Sequence, residues 1–387
     1  MPAGVIFSAR TPAAPTRGLV MDPLEQLRER IRLVDRHILT LVRERLDLAA
    51  QIGREKKDRG IPLRDWHVER TVLDHAQGVC AELRLPTPLA RNLMQQLLAE
   101  SRAEQERLTY AAYTGSAETI VIIGGLGKMG RWLSDFFSNQ GHSVGVFDVS
   151  EARRDNVAGG ITVYASLAEA LAATTFAAVA APLDLVPQVI DDIANRGYRG
   201  TLFDIASLKG HLKPAIDKAR KAGVAITSIH PMFGPGARAL ADQVICLCDC
   251  GDAPATQRVR GFFAETAATL VDLSLDEHDR IASYVLGLSH LTNILFTRVL
   301  MRGGDPFDAI NRVGSTTFHS QMATTATVMR DNPELYFAIQ KLNPYTPRLY
   351  AAIADELAAL TRAVGANDRD AFVSLMRAGQ QWLAAGG

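Results

Sequence analysis

Cysteine is scarce in this chain, with four in 387 residues. That is too few for a disulfide scaffold of this size. Three of the four, Cys246, Cys248 and Cys250, alternate within QVICLCDC, a spacing that puts all three on one face of a strand. Zinc sites favour C-x2-4-C spacing and need a fourth ligand, so these thiols read as small core residues and no metal is expected. Free thiols fit a reducing cytosol. Net charge is absent too: 42 Lys+Arg balance 42 Asp+Glu. With no basic block, nucleic acid is not the expected partner. No apolar run approaches the roughly 18 residues that a membrane helix needs. The expectation is a soluble, cytoplasmic chain whose ligands are small molecules. Residues 1–20 hold Arg10, Arg17, three prolines and no acid, and read as a disordered extension ahead of Met21.

Between Leu24 and Ile52 there is neither glycine nor proline. Over that stretch Leu24, Leu27, Ile31, Val34, Ile38, Leu41, Val42, Leu46, Ala49 and Ile52 recur at helical spacing. The pattern predicts one helix from Pro23 to about Lys57, roughly 50 Å long. A small domain cannot cover such a helix alone, so partner helices are needed, from another subunit if necessary. Gly60 and Pro62 end the pattern. A second helix is expected from about Asp65 to Leu83. After Pro86 and Pro88, a third is expected from about Leu89 to Leu108. Residues 21–108 thus form an all-α, three-helix domain.

Residues 109–118 lose the period and read as a linker. Strand-like runs then recur at TIVIIGG, SVGVFD, FAAVAAP, GTLFDIA and VAITSIHP, with helix-like stretches between. Alternation of this kind implies a parallel sheet wound by helices over residues 119–275. From Asp276 to the end, the pattern is helical again, apolar enough for a substrate or dimerisation domain. The fold class is therefore multidomain: all-α, then α/β, then all-α.

The strand TIVII runs into Gly125-Leu126-Gly127-Lys128-Met129-Gly130 and then the helix-like RWLSDFFSNQG. This is G-x-G-x-x-G in the strand–turn–helix context it requires. The first glycine permits the turn, the second lets the backbone approach a pyrophosphate, and the third lets helix pack on strand. Asp148 ends the next strand, 18 residues past Gly130. A carboxylate there accepts from ribose hydroxyls and repels a 2′-phosphate, which favours NAD over NADP in a Rossmann-like domain. Arg153 and Arg154 lie just beyond.

The segment Ser228-Ile229-His230-Pro231-Met232-Phe233-Gly234-Pro235, with the loop FDIASLKG and the segment LDEHD, resembles the prephenate dehydrogenase family over roughly residues 119–387. Residues 21–108 resemble the all-helical chorismate mutases, and the order matches the bifunctional mutase–dehydrogenases of tyrosine biosynthesis. The resemblance implies that His230 is the base for the substrate hydroxyl, supported by Ser207. Lys209, His278 and the Thr327–Arg330 turn would bind substrate. For the mutase it implies Arg28, Arg45, Lys56, Asp65, Glu69, Ser101 and Gln105, with Lys56 and Gln105 at the ether oxygen. Arg28 would reach into the partner subunit's site, so a homodimer is expected. The chemistry agrees. Oxidation of prephenate needs a hydride acceptor, a base and a clamp. The mutase rearrangement is unimolecular and needs only cations around a compact dianion.

Two positions depart from the resemblance. The arginine that usually precedes Glu69 is Val68, and the arginine that usually lies six residues before the proline of DNPELY is Thr327. Loss of a cation near C4, at Val68, suits a substrate with an ammonium there; Thr327 is explained less well, because such a substrate keeps its ring carboxylate. The alternative substrates are therefore 4-amino-4-deoxychorismate and 4-amino-4-deoxyprephenate, with arogenate a third possibility. A further alternative makes one domain a non-catalytic ligand-binding or dimerising module.

Overall fold

The computed structural model describes residues 22–59, 72, 75–76, 78–86, 89, 92–94, 96–98, 100–101, 116–150, 160–237, 240, 243–264, 266 and 268–385. Asp65, Val68, Glu69, Gln105, Arg153 and Arg154 lie outside them. The first element is α1, Pro23–Asp58, a single helix of 36 residues, about 54 Å long at 1.5 Å per residue. Ion pairs one turn apart line its solvent side, Arg28 with Glu25, Arg32 with Glu29 and Arg43 with Asp47. Each contributes only a few tenths of a kcal/mol. Its apolar stripe is left open: Leu24, Leu27, Ile31, Val34, Ile38, Leu41, Leu48 and Ile52 are all exposed. Described residues between 72 and 82 and between 89 and 101 are also helical.

An eight-stranded sheet follows, in the order β3-β2-β1-β4-β5-β6-β7-β8. The strands are β1 Thr119–Ile123, β2 Ser143–Phe147, β3 Thr162–Val163, β4 Phe176–Val179, β5 Thr201–Asp204, β6 Ala225–Pro231, β7 Val244–Asp249 and β8 Thr269–Ser274. The first six are parallel to one another. β7 runs antiparallel to β6, and β8 parallel to β7. The fully parallel sheet read from the sequence therefore has a reversed margin. β8 carries only weak strand signals, with alternating partly exposed residues, and was not anticipated.

Helices cover both faces. On one side α2, Lys128–Asn139, and α6, Ala253–Ala264, bury a phenylalanine cluster. Phe136 stacks on Phe263 at 5.1 Å, and Phe262 meets Phe176 edge-on at 4.8 Å. Each such ring contributes about 1.5–3 kcal/mol by burial. Between α2 and α6 lie the short α3, Leu167–Ala172, then α4, Val186–Asn195, and α5, Lys213–Lys221. On the other face α4 and α5 pack Ile190, Ile193, Ile216 and Ala219 onto Val121, Val179, Leu202 and Ile226. Alternation along each buried strand sends successive residues to opposite faces, so Ile229 joins the phenylalanine side while His230 points to the other.

Ser274 then begins a helix without delay. Its hydroxyl accepts from Glu277 N, and the Glu277 carboxylate accepts from Ser274 N. This capping box fixes the start of α7, Leu275–Ala282. A π-helical segment, Ser283–Leu288, leads into α8, Ser289–Gly303. The rest is helical: α9 Phe307–Arg312, α10 Thr316–Met329, α11 Pro333–Leu342, α12 Thr346–Gly365 and α13 Arg369–Ala385. α11 packs Leu335, Tyr336, Ile339 and Leu342 onto the face of the sheet that carries His230. No described helix is long and apolar enough to cross a membrane.

Candidate active site

The glycine-rich turn fits a dinucleotide for reasons visible in its packing. A methyl group at Gly125 would meet Val146 Cγ1 at 2.6 Å, and one at Gly130 would meet Gly124 O at 2.4 Å. Turn, strand and helix are in contact there. Gly127 differs, with Gly124 O at 3.2 Å its one close neighbour. It caps α2 with no side-chain bond to the helix N-terminus, which leaves room and N–H donors for a pyrophosphate. Asp148 sits at the tip of β2, where Oδ2 accepts from Leu126 N at 3.1 Å and Oδ1 from Ser150 N at 2.9 Å. Its carboxylate is thus fixed beside the turn, where a ribose would lie.

Three strands along the sheet from β1, His230 is the penultimate residue of β6. This residue is 5 % exposed, and its Nδ1 lies 2.9 Å from His278 Nε2. The Nδ1 of His278 lies 2.9 Å from Asp279 Oδ1. That carboxylate also accepts from Lys209 N at 2.8 Å and, through Oδ2, from Gly210 N at 2.7 Å. The tautomers follow from the acceptor at the end. Asp279 accepts the Nδ1 proton of His278, so His278 Nε2 is an acceptor and takes the Nδ1 proton of His230. The His230 Nε2 lone pair is left as the basic end of the chain. Burial, the neighbouring His278 and Lys209 together hold the His230 imidazolium well below the ordinary histidine range. Burial likewise lowers His278, against the pull of Asp279. His230 is therefore neutral at pH 7.

Lys209 and His278 are not placed as substrate ligands. His278 is 2 % exposed and both its ring nitrogens are bound to protein. Lys209 is wholly buried, its ammonium donating to Asp204 Oδ1 at 3.0 Å and Ile229 O at 2.7 Å. Removing one partner of a buried pair such as Lys209–Asp204 costs about 3–5 kcal/mol. Ser207 is half-buried in its loop, and the bond at His230 Nδ1 goes to His278 instead. Thr327 is exposed and donates to Ala323 O on its own helix at 3.2 Å, while Arg330 caps α10 in the open. Neither forms a clamp here. Asp279 and Asp204 were missed as functional residues in the sequence. The signal for Asp279 was its place directly after His278 in LDEHD. For Asp204 it was a charged residue ending a buried strand.

The three alternating cysteines fall where a core reading puts them. Cys246 and Cys248 face His230 and Ser228 across the β6–β7 pair. All three are buried and free, and burial pushes the Cys248 thiol up to about 12.

In the N-terminal region the structure joins two of the sequence candidates. Arg45 Nη1 donates to Leu97 O at 2.8 Å and to the hydroxyl of Ser101. Lys56 lines a groove of about 410 Å³ with Leu48, Gln51, Ile52, Glu55 and Arg59. Arg28 is exposed and paired with Glu25.

These features define a class: an NAD-dependent dehydrogenase on a Rossmann-like sheet, preceded by a helical region that carries Arg45 and Lys56. Family models agree along the chain. Residues 27–106 match chorismate mutase type II, 119–273 the NAD binding domain of 6-phosphogluconate dehydrogenase, and 274–378 the prephenate dehydrogenase dimerization domain. The T-protein of Enterobacter agglomerans is 24% identical over 364 residues, covering 93% of each chain. The 4-amino-4-deoxyprephenate dehydrogenase of Streptomyces pristinaespiralis is 25% identical over 264 residues, 66% of this chain and 88% of that one. The prephenate dehydrogenase of A. aeolicus, solved with hydroxyphenyl propionate and NAD+, shares the fold. Its TM-score is 0.59 at 14% identity, over 71% of this chain and all of that one. The chain belongs to the bifunctional chorismate mutase–prephenate dehydrogenase family.

Proposed function

We propose that the chain converts chorismate to prephenate in its N-terminal helical domain, residues 21–108, and oxidatively decarboxylates prephenate to 4-hydroxyphenylpyruvate in residues 119–387. The observation that carries the second activity is the Asp279–His278–His230 chain, ending in a neutral lone pair on the sheet that bears the dinucleotide turn. NAD, when bound, supplies the hydride acceptor. Gly125, Gly127 and Gly130 make room for its pyrophosphate, Leu126, Lys128 and Met129 complete the turn, and Asp148 takes its ribose. His230 Nε2 accepts the C4 hydroxyl proton. Electron density released to C4 then favours hydride loss, and departure of CO2 completes the aromatic ring. Asp279 stabilises the imidazolium that forms, acting through His278. In the mutase, Arg45, Ser101 and Lys56 surround the substrate dianion, with Asp65, Glu69 and Gln105 completing the site and Arg28 serving the partner subunit.

A homodimer is supported by two features. One is the apolar stripe left open along α1. The other is the dimerization-domain match over residues 274–378. Four free cysteines among the described residues support a reducing compartment, the cytoplasm. The 4-amino-4-deoxy reading is not better supported: Val68 lies outside the described residues, and Thr327 bonds its own helix. A side-by-side assay with chorismate and 4-amino-4-deoxychorismate, each with NAD, tests the function. Chorismate consumption with NADH formation is expected. Turnover of the amino substrate alone would transfer the chain to the amino pathway, and turnover of neither would refute both readings.

A further inference from the structure

Lys209 reaches the catalytic base by two routes at once. Its backbone N–H donates to Asp279 Oδ1 at 2.8 Å, the same oxygen that accepts from His278. Its ammonium donates to Ile229 O at 2.7 Å, on the residue that precedes His230 in β6. From Lys209 N through Asp279, His278 and His230, and back along the chain to Ile229 and Lys209 Nζ, the bonds form a closed ring. One side of this ring is a strand of the sheet and the other is α7. The ammonium is wholly buried, and its counter-charge, Asp204, lies at 3.0 Å.

We propose that Lys209 is a positioning residue of the dehydrogenase: it locks His230 against its acid partner and supplies the buried positive charge behind the base. The inference rests on the dehydrogenase reading above. Charge decides which way the base is biased. His230 is faced by Ser228 on its own strand, by the neutral thiols of Cys246 and Cys248 on β7, and by His278 and Asp279 on α7. Lys209 and Asp204 face it from β5 and the loop that follows. Among these, Lys209 is the cation. It disfavours the imidazolium, so it keeps the lone pair available at moderately acid pH and returns the proton after turnover. Asp279 pulls the other way through one intervening ring. The balance lets His230 accept a proton without trapping it.

Two variants separate geometry from charge. Lys209→Met removes both the grip on Ile229 and the charge. The pair Asp204→Asn with Lys209→Gln removes the charges but keeps amide groups able to bond each other and Ile229 O. The measurement is the pH profile of kcat/KM for prephenate, with KM and kcat separated. Chorismate mutase activity of the same chain and its melting temperature report folding. The acid limb of the profile should move up by about one pH unit in Lys209→Met and by less in the paired variant, which also removes the opposing Asp204 charge, with KM for prephenate within about twofold of wild type. Lys209→Met should lose a further tenfold or more in kcat, on the order expected for a base displaced by a fraction of an ångström. The paired variant keeps the test open if Lys209→Met does not fold. An unmoved acid limb with KM raised about tenfold would make Lys209 a substrate ligand and overturn the proposal. An unmoved limb with lower kcat or melting temperature would make it a structural ion pair, with the same consequence. If wild type does not oxidise prephenate with NAD at all, the functional reading fails first.

Discussion

Two glycines in the dinucleotide turn should respond oppositely to the same added methyl group. At Gly130 that methyl would lie 2.4 Å from Gly124 O and 2.7 Å from Gly125 Cα. Both are backbone atoms of the turn and cannot rotate away, so α2 must move off the sheet. Overpacking of this kind costs about 1–3 kcal/mol, and the upper end applies where no side chain can yield. A domain of this size loses about 2–4 °C per kcal/mol, so Gly130→Ala should melt roughly 5–10 °C lower. At Gly127 the methyl meets one oxygen at 3.2 Å, and φ −70, ψ 168 is a conformation alanine adopts freely. Gly127→Ala should therefore melt within about 2 °C of wild type, helped slightly by lower unfolded-state entropy. It should nevertheless lose at least about tenfold in NAD affinity, some 1.4 kcal/mol, because the methyl stands where the pyrophosphate approaches. Differential scanning calorimetry and isothermal titration with NAD read the two effects, with mutase activity as a folding control. Wild-type NAD affinity in Gly127→Ala would refute the placement of the cofactor. An unchanged melt in Gly130→Ala would refute the packing argument.

Other predictions follow from the base and the cofactor site. His230→Asn should keep NAD binding and lose at least about 10²-fold in prephenate oxidation. His278→Gln should lose about tenfold in kcat with KM unchanged, and stopped-flow kinetics would expose the idea as wrong if both variants behaved like wild type. Asp148 should give NAD at least about a tenfold advantage over NADP in kcat/KM. Asp148→Ser should narrow it, and equal use of both cofactors by wild type would remove Asp148 from the ribose site. His142, His230, His278 and His290 are all held below the ordinary range, chiefly by burial. Their folded pKa values are thus depressed. The stability they contribute is fully present above about pH 6.5, the unfolded value, and is lost as pH falls below it. Melting temperature against pH should be flat above 6.5 and fall below, and a rise on acidification would contradict the assignment.

Much of the scaffold was legible because its signals are local. The long uninterrupted period behind α1, the strands β1, β2, β4, β5 and β6, and the glycine turn can each be read within a dozen residues or so. The reversal of β7 was not, since a strand's direction depends on where the chain returns from, and the turn before it carries no fixed signature. His230 could be singled out from its motif, but its hydrogen-bond partner could not. His278 lies 48 positions later in the chain, and only the capping box at Ser274, acting with the sheet, brings it behind His230. Lys209 shows the same limit. A lysine beside a catalytic loop reads as a substrate ligand until its burial and its contact with Ile229 O are seen.

The π-helical segment between α7 and α8 acts as a phase shifter. A π turn takes an extra residue relative to an α turn, so every side chain beyond Leu288 is indexed about 100° around the axis from where continuous α-helix would set it. That offset decides which partners α8 meets. His290 stacks on Tyr336 at 4.1 Å, and Asn293 receives bonds from Gln321 at 2.9 Å and Thr325 at 2.7 Å. Gln340 Nε2 satisfies Gly287 O at 2.9 Å, holding the widened turn open. Deleting a single residue within 283–288 would leave His278 and Asp279 in place beside the base. It would turn the whole of α8 away from α10 and α11, separating catalytic orientation from assembly of the helical half at one point in the chain.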